Sequence, residues 1–386
     1  MIRDEGQRKR VTLFLSNLEG GGAERISVNL LKGFSPDLFD LDLVLITATG
    51  PFLDQVPPYV RVIDLKRASV SQAVLPLTGY LRRRRPDVLM SHLSHVNVGA
   101  LLAKSLALTP TKVVLVEHND LSNARAAPGS PIAPKVRNWR APQRRFLPQI
   151  MRFFYRRADA VVGVSKGVSR YVAARFKVPA ARVHTIYNPI VDDELLRRSQ
   201  EAPEHPWLLN ADVPTLIAVG RLTQQKDFPT LLRAFAEVRK RREARLIIFG
   251  EGPQRAPLEA LVQDLGLGGS VSLPGFTQNP YAAMRRAALL VLSSRWEGLP
   301  TVLVEAMACG CPVVATDCPS GPDEILEGGR WGPLVGVGDV QALTEAITGA
   351  LDHPVSKDAL RERAAAFTYD RSVDAYTELL TSLSSP

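Results

Sequence analysis

Apolar residues in this chain fall into short unbroken runs, separated by longer stretches where they recur at helical spacing. "RVTLFLSN" (10–17) opens the series, and a helical pattern from about Ala23 to Phe34 follows it. "LDLVLITA", "VRVIDL", "PDVLMSH" and "TKVVLVEH" come next, and "ADAVVGVS" (158–165) after a gap. The runs are apolar throughout, not alternately polar, which predicts parallel strands covered by helices on both faces. Segment 188–214 is polar, carries prolines and has no such run, so it reads as a linker. A second series begins with "TLIAVG" (215–220) and continues through "ARLIIFG" (244–250), "VSLPG" (271–275), "LLVLSS" (289–294) and "PVVAT" (312–316). Two blocks of alternating β and α predict an α/β fold of two doubly wound domains with a cleft between them. Ligands of such sheets bind beyond the carboxyl ends of the strands. Length supports the division, since 386 residues exceed what one hydrophobic core usually organises.

One segment breaks the apolar pattern. "RWEGLPTVLVEAMACGCPVVATD" (295–317) predicts a helix from Thr301 to Ala308, with Pro300 at its first position and Gly310 and Pro312 ending it. Val302, Leu303, Val304, Ala306, Met307 and Ala308 make nearly every face apolar, so the helix should be buried. Glu305 in its midst is then costly unless something hydrogen-bonds to it. Helical side chains tilt toward the N-terminus, so Glu305 points back toward Glu297 in the preceding loop. Between them the first helical N–H groups, from about Leu299 to Leu303, favour an anion. Two acceptors flanking an anion site fit a phosphate between two polyols, as in a nucleotide-sugar. The plainer alternative is an internal salt bridge for Glu305 and a solvated Glu297.

Two further strand ends carry candidate chemistry. "SNLEGGGAER" (16–25) places Gly20, Gly21 and Gly22 between the first strand and its helix, where backbone can approach an anion closely. The spacing is not that of a dinucleotide fingerprint, and a tight turn explains it equally well. "VGRLTQQKDF" (219–228) sets Arg221 and Lys226 after the first strand of the second block. A bidentate guanidinium and a mobile ammonium suit a diphosphate, although two solvated surface cations would read the same. The tripeptide Asp40-Leu41-Asp42 mimics a metal-binding D-x-D, but it lies at the amino end of its strand and reads as a solvated start to it.

Composition narrows the classes. The net charge is +9, and no acidic residue lies between Asp120 and Asp159. That interval holds Arg125, Lys135, Arg137, Arg140, Arg144, Arg145, Arg152, Arg156 and Arg157, enough to account for the whole excess. Such a block can face nucleic acid, an anionic membrane or phosphorylated substrates. It lacks the aromatic-interleaved, zinc or helix-turn-helix patterns of nucleic-acid binders. Residues 148–157 read as a helix, with Ile150, Met151 and Phe154 on its apolar side. Cys309, Cys311 and Cys318 suggest buried thiols in a reducing compartment. With a charged start lacking a signal-type apolar core, and no run long enough to span a bilayer, a cytoplasmic protein is expected.

The residues also carry a resemblance. "EGLPTVLVEAMACGCPVVATD" resembles the E-x7-E signature of retaining GT-B glycosyltransferases of family 4, and "GGGAER", "GRLTQQKDF", "FGEGP" (249–253) and "SGPDEIL" (320–326) stand in that family's order. The resemblance covers nearly the whole chain. It implies two Rossmann-like domains: residues 1–196 for the acceptor, 197–366 for the nucleotide-sugar, and a final helix, 367–386, returning to the first domain. It implies transfer of a sugar from a nucleoside diphosphate, commonly UDP, with retention and without a metal or other cofactor. By the same analogy Glu305 binds the donor ribose, Glu297 contacts the transferred sugar, and Arg221 and Lys226 hold the diphosphate. Gly21, Gly22, Gly220, Glu251, Gly298, Leu299, Pro300 and Thr301 complete the donor side. His118, in "VLVEHND", maps to the histidine of the N-terminal domain's cleft, with His92 and Asn119 as acceptor-side candidates. The expected partners are the nucleotide-sugar donor and a glycan or polyprenyl-diphosphate-linked acceptor at an anionic inner membrane face, with no nucleic acid. A nucleotide-sugar epimerase of the same fold, or a non-catalytic basic protein binding membrane or nucleic acid, are the competing readings.

Overall fold

The structure is a computed structural model that describes residues 8–19, 22–118, 151–209 and 212–383. The chain divides into two compact units, one containing the described residues up to Pro189 together with Tyr369 onward, the other running from Ile190 to Thr368.

The first unit is built on seven strands: β1 (Lys9–Leu15), β2 (Phe39–Leu45), β3 (Arg61–Asp64), β4 (Val88–His92), β5 (Lys112–Glu117), β6 (Ala160–Gly163) and β7 (Val183–Thr185). They pair in parallel in the order β3-β2-β1-β4-β5-β6-β7, so chain direction across the sheet reverses between β1 and β4. Helices Gly22–Gly33, Val70–Arg84, Ser94–Ala107 and Lys166–Phe176 follow individual strands. The central strands are buried along their length, as unbroken apolar runs require. Helix Tyr369–Ser382 also belongs to this unit. The Tyr369 hydroxyl donates to the Asn29 carbonyl at 2.8 Å, and Lys9 Nζ to the carbonyls of Leu380 at 3.2 Å and Leu383 at 3.3 Å.

The second unit repeats the plan. Strands β8 (Thr215–Val219), β9 (Arg245–Phe249), β10 (Val271–Gly275), β11 (Leu289–Leu292), β12 (Val313–Thr316) and β13 (Leu334–Val335) pair in parallel in the order β10-β9-β8-β11-β12-β13. Leu231, Leu232 and Phe235 of helix Phe228–Arg241 pack with Leu246, Ile248, Val314, Leu343 and Ile347 in one buried cluster. Both sheets are parallel, helix-covered and reversed at one switch point, so each unit is Rossmann-like.

The structure corrects several expectations. The linker contains a helix, Asp193–Ser199, capped by Asp192 accepting from Leu195 N at 2.7 Å; only Leu195 and Ser199 are buried in it, so no apolar stripe announces it. Strands β7 and β13 are three and two residues long and partly exposed, too short to stand out as runs. Pro300 is the N-cap of helix Thr301–Ala308, not its first residue: its ψ of 90° is extended. Asp42 is not solvated. It is 4% exposed and meets Arg61 Nη2 at 2.6 Å, Arg84 Nε at 3.3 Å and the Tyr80 hydroxyl at 2.5 Å. Asp42 therefore ties β2 to its neighbours from within, whereas Asp40, its side chain 45% exposed and 3.4 Å from Arg84 Nη2, keeps the expected contact with solvent.

Candidate active site

In doubly wound sheets the crevice opens where strand order reverses, beyond the carboxyl ends. In the second unit that point lies between β8 and β11, and the loops leaving both strands carry the chemistry. After β8 comes Gly220, then Lys226; after β11 come Ser293, Ser294 and Glu297. Lys226 Nζ lies 2.6 Å from Glu297 Oε1, with the two side chains 17% and 9% exposed. The Ser294 hydroxyl donates to the same carboxylate oxygen at 2.6 Å. Gln225 Nε2 donates to the Trp296 carbonyl at 2.9 Å, Arg295 N to Gln225 O at 2.8 Å, and Ser293 Oγ to Lys226 O at 2.7 Å. Arg295 Nε pairs with buried Asp227 at 3.1 Å. The two loops are therefore tied into one rigid ledge.

Gly220 has a steric reason. A Cβ there would stand 2.8 Å from Lys226 Cε, so the lysine stem crosses the bare backbone of the glycine on its way to Glu297. Leu222 N donates to Glu251 O at 2.9 Å, and Gly220 N to Phe249 O at 3.0 Å, which stacks the "FGEGP" loop against this one. The Glu251 carboxylate is not offered to the ledge. It is exposed and held by Arg255 at 2.5 Å, which lowers its pKa. Arg221 is exposed, and among the described residues no hydrogen bond or ion pair fixes its guanidinium.

Gly298, Leu299 and Pro300 are buried in the turn that enters helix Thr301–Ala308, and Thr301 is half-buried. Pro300 has no capping side chain, so the first helical N–H groups are not satisfied by a cap. Gly321, in "SGPDEIL", closes over this end: with φ +99°, its added Cβ would lie 2.4 Å from Pro300 Cδ. The helix is buried except at Thr301 and Glu305, as its composition predicts. Glu305 is half-buried, and its charge helps push the Cys309 thiol up to about 12, second to burial. All three cysteines are buried free thiols.

In the first unit the reversal lies between β1 and β4. Ser16 Oγ, after β1, is 3.4 Å from Nε2 of His95, in the first turn of helix Ser94–Ala107. Gly22 begins helix Gly22–Gly33 exposed, with no atom within 4 Å of an added Cβ. His92 ends β4 and His118 follows β5, the two strands pairing side by side, and Nδ1 of His92 lies 3.0 Å from Nε2 of His118. Burial brings the His118 pKa down to about 4. Burial, and then the charge of His118, hold His92 well below the usual histidine range. Both rings are neutral at ordinary pH. Glu117 is buried beside them, accepting from Ser94 Oγ at 2.7 Å, from Asn97 Nδ2 at 2.8 Å and from the Tyr155 hydroxyl. Burial raises its pKa against those three hydrogen bonds. Tyr155 is fully buried, whereas Phe154 is half-buried, so the apolar anchor of segment 151–155 differs from the expected one.

Ser294, Asp227, Asn97, Tyr155 and Glu117 escape sequence reasoning. Ser294 and Glu117 carry one sequence signal, a polar residue at or just beyond a strand end, whereas Asp227 precedes a helix and Asn97 and Tyr155 lie within helices. Gly21, Asn119, Arg137, Arg140, Arg144 and Arg145 lie outside the described residues.

Comparison with known proteins agrees with this layout. The family described as "Glycosyl transferases group 1" matches residues 200–367, and "Glycosyltransferase Family 4" matches residues 20–194. Among curated proteins, an N-acetylgalactosamine-N,N'-diacetylbacillosaminyl-diphospho-undecaprenol 4-alpha-N-acetylgalactosaminyltransferase of Campylobacter jejuni is 28% identical over 365 residues, 92% of this chain and 94% of that one. The amylovoran biosynthesis glycosyltransferase AmsD of Erwinia amylovora is 25% identical, covering 93% of each. Among solved structures, Anabaena HepE in complex with UDP superposes with a TM-score of 0.75 at 21% identity, covering 97% of this chain and 100% of that one, and shares the GT-B fold. With both units matched, the chain belongs to the family 4, group 1 glycosyltransferases.

Proposed function

We propose that the protein moves a hexose or N-acetylhexosamine from a UDP-sugar to a polyprenyl-diphosphate-linked glycan in bacterial polysaccharide or oligosaccharide assembly, with retention and without a metal. The observation that carries this reading is the Lys226–Glu297 pair at the start of an uncapped helix. Charge grows on the departing diphosphate, and fixed donors at its position stabilise the transition state without reorganising. Lys226 and the first N–H groups of helix Thr301–Ala308 are such donors, and the exposed Arg221 guanidinium joins them once the diphosphate is bound. Glu297 orients Lys226 and takes the transferred sugar's hydroxyls, while Glu305 takes the ribose. His118 is the first unit's contribution to catalysis, with His92 beside it. Metal independence is supported by the engagement of Asp40 and Asp42 with arginines, which leaves that tripeptide no role in binding a cation. The UDP of the HepE complex supports the base, and the undecaprenol in the Campylobacter enzyme's name supports the lipid-linked acceptor.

Among the described residues no helix is long and apolar enough to cross a membrane. The net charge of +9 favours reversible docking to an anionic leaflet, since each nearby cation contributes about 1 kcal/mol. The deciding experiment incubates the protein with a UDP-sugar panel, with and without EDTA, and with and without a polyprenyl-diphosphate oligosaccharide in anionic vesicles. Acceptor-dependent UDP release that survives EDTA, with an α-linked product from an α-donor, is expected. Acceptor-independent conversion would indicate an epimerase, and binding to vesicles with no turnover of any donor a non-catalytic protein.

A further inference from the structure

His92 is wholly buried, and its Nε2 has no hydrogen-bond partner among the described residues. Its ring lies edge to edge with that of His118, centroids 5.3 Å apart and planes 26° apart, and its Nδ1 faces His118 Nε2 at 3.0 Å. Each neutral imidazole carries one proton, and a hydrogen bond between the two needs one of those protons in the gap. If His118 supplied it, His92 would hold its own proton on Nε2, leaving a buried N–H orphaned. If His92 supplies it, the atom left without a partner is a lone pair. Orphaned buried N–H groups are the rarer and costlier case, so the second arrangement wins. Glu117, adjacent in sequence, is already engaged by Ser94, Asn97 and Tyr155 and does not compete for either ring in the described hydrogen bonds.

We propose that His92 is a positioning residue that fixes His118 as its Nδ1–H tautomer, so that His118 meets its substrate with a hydrogen-bond donor on Nδ1 while Nε2 is occupied. His118 then acts as a neutral donor to a sugar hydroxyl or phosphate oxygen and not as a general base. This rests on the catalytic role given to His118 above, but the tautomer itself is a property of the protein without substrate.

The test is a long-range proton–nitrogen correlation spectrum of the protein with ring-labelled histidine and no substrate, His118 being assigned by His118→Gln. Wild type should show His118 protonated on Nδ1. His92→Phe should shift it toward the Nε2–H form that free imidazole prefers. In that variant kcat should fall about tenfold or more while the donor KM changes less than about twofold. His92→Asn, which places an amide N–H where Nδ1 stood, should restore the tautomer and most of kcat. A wild-type His118 protonated on Nε2, or a folded His92→Phe with an unchanged His118 spectrum, would overturn the proposal. If His92→Phe fails to fold, the wild-type and His92→Asn spectra decide. Full activity in His118→Gln would instead overturn the catalytic role of His118, whatever the tautomer.

Discussion

Lys226 is held from two sides: its stem lies across Gly220 and its ammonium on Glu297. Lys226→Met keeps the stem and removes the charge, so the loop should survive while the diphosphate loses a fixed donor. We expect kcat/KM to fall about 100-fold, mostly in kcat, because the charge it opposes builds as the glycosidic bond breaks. Steady-state kinetics showing only a raised donor KM would reduce Lys226 to ground-state binding. Glu305→Gln keeps volume and loses charge-assisted acceptance from ribose hydroxyls. Donor binding by calorimetry should weaken by roughly 1.5–3 kcal/mol with little change in Tm; an unchanged Kd would remove the ribose assignment. Lys226, Glu297 and Glu305 were legible because each stands at a strand end or interrupts an apolar helix. Ser294 and Tyr155 were not. Ser294 matters only because β11 brings it to Glu297, and Tyr155 because the fold carries it to Glu117, 38 positions away in sequence.

The element that organises the donor side is helix Thr301–Ala308, eight residues long, buried and closed by Gly310 at φ +74°. Its existence, its extent and the strand after it could be read from an apolar run between Pro300 and Gly310. Its N-terminal geometry could not. The packing of Gly321 on Pro300 joins residues from two loops, and only the folded sheet brings those loops together. Two glycine substitutions should separate stability from function. Gly321→Ala forces a side chain against a proline ring, at a positive φ that alanine disfavours, and should cost on the order of 1–3 kcal/mol in urea denaturation. Gly220, at φ +159°, lies at the edge of the extended region, and the crowding atom there is Cε of the Lys226 side chain, not a ring or backbone. Shifting that stem is cheaper than shifting Pro300, so Gly220→Ala should cost less stability than Gly321→Ala while activity falls with the displaced ammonium. Equal losses of stability in both variants would mean that Lys226 is as rigid as the backbone, and that its position is not tuned by Gly220.

At the scale of the molecule, two sheets that share the order of six strands, the first carrying β7 as a seventh, place polar residues at the same point of each unit. That plan was visible in the apolar runs, whereas the burial of His92 was not. The pKa values of His92, His95, His118, His184 and His205 are all lowered, with burial the first cause in each. Above pH 6.5 these groups are neutral in both folded and unfolded chains and contribute no pH dependence. As pH falls below 6.5 the unfolded chain takes up protons that the native state refuses, so stability is lost down through the folded values, about 4 for His118. Glu117 acts in the opposite sense: its raised pKa lets the native state hold a proton more readily, which favours folding as pH drops toward the carboxylate range. One carboxyl does not offset the buried His92 and the half-buried His118, each contributing on the order of 1 kcal/mol per pH unit in that window. The urea midpoint should therefore fall between pH 7.5 and pH 5.5 at constant m-value. His92→Asn should flatten that dependence, because one refused proton is gone. A midpoint that holds or rises on acidification would show that the strand-end imidazoles take up protons without unfolding, and that His118 can serve as an acid after all.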